Sequence, residues 1–223
     1  MPLAQRHNRE ETMGPYRKFR LTMEIAGAVR YLGVVSLSIF LGGCVAGQTL
    51  KLDYSAEQAS VRKSGTVVSV DVKDMRPFVV DGRKKPSYVG HYRAGFGNTW
   101  DVHTDGGEAL ATIMARDLSA DLGTLGFKVS SDLTATRTVG VTIVDWNFDS
   151  YINARVWYEC LVSVRDQAGN VLAKTTLKDE STIEGSVLVG PKYAVEREMP
   201  KIYLSVIRKM VRENSPVLQA LER

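Results

Sequence analysis

Apolar and polar residues alternate along several stretches of this chain. Over 66–73, Val68, Val70 and Val72 share one face while Ser69, Asp71 and Lys73 share the other, which predicts a strand with one buried side. Residues 154–165 alternate in the same way. There Val156, Tyr158, Cys160, Val162 and Val164 turn inward, against Arg155, Glu159, Ser163 and Arg165. Residues 166–170 read as a hairpin connection, and 171–184 as the returning strand. The stretch 138–149 changes parity midway: Val139, Val141 and Ile143 share one face, then Val144, Trp146 and Phe148 the other. Either a bulge near 143–145 or burial of both faces accounts for the change. A short strand begins at Phe127, and Leu50, Leu52 and Tyr54 alternate enough for part of 45–65 to pair as a strand. Residues 75–104 form a long polar-aromatic connection, with a hairpin expected between 88–93 and 99–103.

Two stretches follow helical spacing instead. Leu110, Ile113, Met114, Leu118 and Leu122 make one stripe, interrupted by Asp117. Asp105 with Glu108 three residues later predicts a capping box at its start, and Gly123 and Gly126 predict its end. Within 193–214, Met199, Ile202, Val206 and Met210 form a second stripe, widened by Tyr203 and Ile207. Pro200 predicts a regular start near Glu198, or a kink. The order of elements predicts an α+β fold: a mainly antiparallel sheet of about five to six strands with two helices packed on one face.

A different pattern precedes these elements. Residues 31–41 are an uncharged apolar run behind the basic residues Arg17, Lys18, Arg20 and Arg30, as in a signal peptide. The run closes on Leu41-Gly42-Gly43-Cys44, which resembles the lipobox of bacterial lipoproteins. Gly42 and Gly43 supply the small side chains a signal peptidase needs, and the Cys44 thiol accepts a diacylglyceryl group. The resemblance implies lipidation at Cys44 and removal of 1–43. A transmembrane anchor is the competing reading, but Gly42, Gly43, Gly47 and Gln48 leave the strongly apolar part short of the roughly 20 residues a span needs. A plain secretory signal is the other. The expected organisation is a signal peptide over 1–43, a lipidated tether over 44–65 and a single periplasmic α+β domain over 66–223. The leader carries Glu10, Glu11 and Glu24, which makes Met13 or Met23 an alternative start. By resemblance to enterobacterial sorting, Val45 in place of Asp favours the outer membrane over the inner.

Composition changes the picture little. The chain has 29 Lys and Arg against 25 Asp and Glu, but from Cys44 onward the numbers are 23 and 22. The basic balance therefore belongs partly to the leader and predicts no nucleic-acid partner. The 180 residues from Cys44 suffice for one core. With Cys44 acylated, Cys160 has no partner for a disulfide and reads as a small buried hydrophobe.

Candidate chemistry is sparse. Asp74 and Arg76 flank a strand end, either as a ligand site or as a turn cap and ion pair. Arg83, Lys84, Lys85, Tyr92, Arg93 and Trp100, with Tyr88, His91 and Phe96 among them, mix cations and aromatics on one connection. That mixture suits a partner-binding surface or contact with anionic head groups; the alternative is a solvated loop with aromatics packed on the sheet. Gly95-Phe96-Gly97 lacks the third glycine of a dinucleotide loop. Trp146, Phe148 and Trp157 form either a binding platform or part of the core. Asp145 and Asp149 lie about 13 Å apart on a regular strand, too far for a glycosidase pair at about 5–9.5 Å. Only His91 and His103 follow Cys44, and no metal-ligand or nucleophile motif accompanies them. No catalytic residue, metal or cofactor is expected.

Taken together, the lipobox, the valine-rich strand ending Asp74-Met75-Arg76-Pro77, Val89-Gly90, the helix over 106–122 and the Leu125-Gly126-Phe127 turn resemble the YajG-type family of bacterial outer-membrane lipoproteins. The paired long strands and C-terminal helix extend the resemblance over most of the chain after Cys44. Residues 78–87 and the start of the strand after Phe127 depart from it. The resemblance implies a periplasm-facing lipoprotein with no established catalytic role, held to the membrane by its lipid, with an envelope protein as a candidate partner. In plan the chain is also similar to small lipoproteins that assist transport or outer-membrane assembly, which implies a hydrophobic ligand as the alternative.

Overall fold

The computed structural model describes residues 48–52, 54, 55, 65–93, 98–130, 134–185, 191–212 and 215–223. The chain divides into compact units at 1–46 and 47–223, and all described residues belong to the second. Cys44, the apolar run before it, most of 44–65 and Phe96 lie outside the described residues.

Among the described residues, eight strands make one sheet: β1 (Gln48–Leu50), β2 (Val67–Asp74), β3 (Tyr88–Arg93), β4 (Thr99–Thr104), β5 (Lys128–Val129), β6 (Arg137–Ser150), β7 (Ala154–Asp166) and β8 (Val171–Ile183). The helices are a single turn, α1 (Pro77–Val80), then α2 (Leu110–Thr124), α3 (Lys192–Met210) and α4 (Pro216–Glu222).

The sheet is organised around β6. Its whole length pairs antiparallel with β7. The first half of β6 also pairs parallel with β2, from Val68 opposite Arg137 to Asp74 opposite Ile143. The last residues, Asp149 and Ser150, pair parallel with His91 and Tyr92 of β3. Because β7 occupies one edge throughout, β2 and β3 share the other edge in succession. β4 then pairs antiparallel with β3, β1 parallel with β4, β5 parallel with β2, and β8 antiparallel with β7.

The parity change in β6 is a bulge. Ile143 faces Cys160 and Asp145 faces Glu159, so Val144 has no opposite residue. The extra residue restores the phase, and Val139, Val141 and Ile143 join Trp146 and Phe148 in the core. β7 alternates as its sequence predicts: Val156, Tyr158, Cys160, Val162 and Val164 are buried. Burial pushes the Cys160 thiol up to about 12, so it stays protonated and inert. The hairpin after β7 is closed by Asp166, whose carboxylate accepts the backbone N–H of Asn170 at 2.8 Å and its side-chain amide at 2.9 Å.

Several expectations need correction. The sheet is mixed, not mainly antiparallel, and has eight strands. Alternation reports which face of a strand is buried and carries no signal for the direction of its neighbour. Two helices on one face is also too simple. α2 packs against β2 and β5, α3 against β8, and α4 against β7 and β8. The capping box does not form: Asp105–Gly107 is a 3-10 turn with Gly106 and Gly107 at positive φ, and α2 starts only at Leu110. The Leu110 amide instead donates to the Pro86 carbonyl at 3.1 Å. At the other end, the Phe127 N–H donates to Leu122 O and the Gly126 N–H to Gly123 O, a Schellman motif with Gly126 at φ 89°. α3 runs through Pro200 and starts earlier than expected, at Lys192. α4 was not foreseen, although Ser215-Pro216 is a strong start signal; the Ser215 hydroxyl accepts the Leu218 N–H at 3.1 Å.

Helices and sheet enclose one core, and α2 brings two acids into it. Asp117 accepts the Tyr203 hydroxyl at 2.8 Å, and Asp121, one turn on, accepts that of Tyr54 at 2.6 Å. Both acids are buried, so these bonds offset a desolvation that would otherwise be costly. The charged interruption in the α2 stripe is thus a fastening point for α3. Tyr203 also meets Trp146 edge-on at 5.8 Å.

Candidate functional site

The connection between β2 and β4 carries most of the chemistry foreseen from the sequence, and the structure divides it into three parts. The first is structural. Arg76 is fully buried at the end of β2, and all five guanidinium N–H groups have acceptors. Nε donates to Asp74 Oδ1 at 2.8 Å and Nη2 to Asp74 Oδ2 at 2.6 Å. The remaining donors reach the carbonyls of Tyr88 at 2.6 Å, Pro86 at 3.1 Å and Trp146 at 3.3 Å. The Arg76 backbone N–H also caps onto Asp74 Oδ1 at 3.2 Å. Asp74 and Arg76 therefore tie β2, β3 and β6 together, and no donor of Arg76 is left for a ligand.

The second part is a polar network on the sheet face away from the core. The Tyr88 hydroxyl donates to Asn147 Oδ1 at 3.1 Å and lies 3.0 Å from His91 Nδ1, while His91 Nε2 stands 3.2 Å from Asp149 Oδ1. Burial lowers the His91 pKa from its ordinary 6.5 against the opposing pull of Asp149. Arg93 grips Asp149 with two N–H groups and holds that carboxyl below its ordinary range. Lys84 pairs with Asp101 at 2.6 Å and sits over the Tyr88 ring at 4.9 Å. Ser87 Oγ lies 3.1 Å from His103 Nδ1. His91, Asp149 and Asn147 come together only through the β3–β6 pairing, so their association was not legible from spacing.

The third part is surface. Arg83 pairs with Asp81 at 2.7 Å yet stays exposed, as does Lys85. The Arg93 side chain remains half exposed. Trp100 is 41% exposed beside the buried Tyr92, its neighbour across the β3–β4 ladder. Tyr92 itself belongs to the core, edge-on to Phe148 at 5.4 Å. Of the six residues foreseen as a partner surface, Arg83, Lys85, Arg93 and Trp100 are presented to solvent, Lys84 is half-buried and Tyr92 is inside.

The three residues considered as a platform also separate. Trp146 and Phe148 are core, while Trp157 lies on the opposite face and donates its indole N–H to Asp145 at 2.9 Å. A groove of about 320 Å³ runs there between β6, β7 and β8. Both of its cations are matched by acids of the groove: Arg155 pairs with Glu180 at 2.7 Å and Lys178 with Glu159 at 2.7 Å. Asp145 and Asp149 are thus engaged by different partners. Among the described residues no group of three or more His, Cys, Asp or Glu is placed to hold a metal ion, and no helix is long and apolar enough to cross a membrane.

No family model matches the chain, and no curated protein sequence does. Among solved structures, protein XCC0632 from Xanthomonas campestris, of the DUF330 family, is similar in fold, with a TM-score of 0.52 at 10% identity over 74% of this chain and 92% of that one. A looser likeness extends to uncharacterized lipoprotein B from Nitrosomonas europaea, with a TM-score of 0.39 at 13% identity over 80% and 94% of the two chains. The PelC dodecamer from Paraburkholderia phytofirmans stands at a TM-score of 0.38, with 14% identity over 76% and 95%. What this chain shares with the Xanthomonas protein is its fold.

Proposed function

We propose that the chain is a lipid-anchored protein of the bacterial cell envelope, a YajG-type lipoprotein facing the periplasm from the outer membrane, with a fold that serves binding or support and not catalysis. The observation that carries this reading is Leu41-Gly42-Gly43-Cys44 at the end of an apolar run behind basic residues. The arrangement of the fold supports it: the first described strand starts at Gln48, so cleavage before Cys44 removes none of the described strands. Each buried methylene of an acyl chain contributes about 0.8 kcal/mol, and two or more chains hold a protein stably on a bilayer. Mass spectrometry of the protein from membranes should find a mature chain starting at Cys44 and carrying diacylglycerol on its sulfur. Cys44→Ala should abolish incorporation of a labelled fatty acid into the protein. A mature chain starting elsewhere, or a bare Cys44 thiol, would refute the anchor.

The exposed Trp100, with Arg83, Lys85 and Arg93 near it in the sequence pattern, supports an envelope protein as the partner of this domain, since Trp and Arg are frequent interface anchors. Alanine at Arg83, Lys85 and Trp100 together should leave the unfolding temperature unchanged while reducing recovery of crosslinked partners from cells. Undiminished recovery would remove this surface from consideration.

A further inference from the structure

A second groove, of about 460 Å³, opens where the start of β8 meets α4. Three cations from three separate elements line it: Arg137 of β6, Lys174 of β8 and Arg223 after α4. No aspartate or glutamate is among its lining residues. This contrasts with the groove on the other side of β7, where every cation has an acid beside it.

The three cations are not neutralised elsewhere by a direct ion pair among the described residues. Arg137 donates only from Nη1, to the Thr136 carbonyl at 2.9 Å. Its Nε is buried with no hydrogen-bond partner. Asp166, opposite Arg137 across the β6–β7 ladder, feels its charge, but both its oxygens serve Asn170. Leu172 and Ala173 add an apolar wall, and Leu172 is 44% exposed.

We infer that this groove binds a phosphoryl or similar compact oxyanion, with Arg137, Lys174 and Arg223 supplying the charge that holds it. Guanidinium groups match the planar spread of such oxygens, and a lysine adds a mobile point charge. Two sources offer the same chemistry: a free phosphate, or a phospholipid head group whose first carbons rest on Leu172. Binding in this groove does not require the lipid anchor.

Titration of the purified full chain in non-ionic detergent tests the inference, with inorganic phosphate and dihexanoyl phosphatidic acid as separate probes followed by calorimetry. At least one probe should bind saturably and more weakly as salt is raised. Lys174→Gln and Arg223→Gln should each weaken binding about tenfold, the loss expected for one charge-assisted bond. Both side chains are exposed, so unchanged unfolding temperatures would show that the fold is intact. Lys201→Gln, which removes a cation already paired with Glu198, should bind as the parent does. Binding of both probes supports a phosphoryl site open to either source, and binding of phosphatidic acid alone supports a lipid head group. Failure of both probes to bind, or equal binding by the Lys174 and Arg223 variants, would overturn the site.

Discussion

Arg76→Met should lower the unfolding temperature by roughly 10 °C, since removing one partner of a buried ion pair costs about 3–5 kcal/mol and each kcal/mol moves a chain of this size by about 2–4 °C. The side chain of Arg76 is wholly buried and that of Asp74 is 9% exposed, so solvent screens little of the loss. Methionine fills much of the volume but leaves the carboxylate of Asp74 and the carbonyls of Tyr88, Pro86 and Trp146 without the donors they now share. Adding Asp74→Leu should recover part of the stability, because a buried pair replaced whole is less damaging than one cut in half. Thermal and urea unfolding of the single and double variants decides the matter. A single variant within a degree of the parent would mean that the carbonyls find water instead.

Gly90→Ala should be nearly as damaging. A β-carbon on Gly90 would stand 2.5 Å from Cε1 and from Cγ of Phe148, closer than carbon atoms approach. Phe148 has nowhere to retreat: it is fully buried and lies against Tyr92. Overpacking of this kind costs about 1–3 kcal/mol and at times more; with an aromatic ring pinned on the far side, the upper end is expected. Phe148→Leu in the same chain should relieve the clash and make the two changes less harmful together than their sum. Additive losses in urea unfolding would show that the ring is free to move.

The faces of the strands were legible from the sequence because alternation records burial directly. The bulge in β6 was legible for the same reason, as a break in phase at Ile143–Asp145. The β3–β4 hairpin was readable from its two short runs. Pairing was not, since β2, β3 and β6 find one another across long separations that leave no local trace. Tyr92 looked like a surface residue because its run mixes cations with aromatics, yet the β3–β4 ladder turns it toward Phe148. The capping box failed because two glycines after Asp105 take positive φ before the helix begins. Asp74 and Arg76 were recognised as a pair, but the three carbonyls that complete the cluster come from distant parts of the chain. The same holds for Arg137, Lys174 and Arg223, which no motif connects.

The parallel pairings also set an order of events during synthesis. Gln48 has to wait for Val102, and Val68 for Val129 and Arg137, before each finds its neighbours in the sheet. β1 therefore stays unpaired until β4 is made, and β2 until β5 and β6 are, so the sheet cannot assemble around β6 until more than half of the polypeptide has emerged. Under the proposed export to the periplasm such a delay is useful, because the topology of the chain postpones the compact state that a translocation pore would refuse.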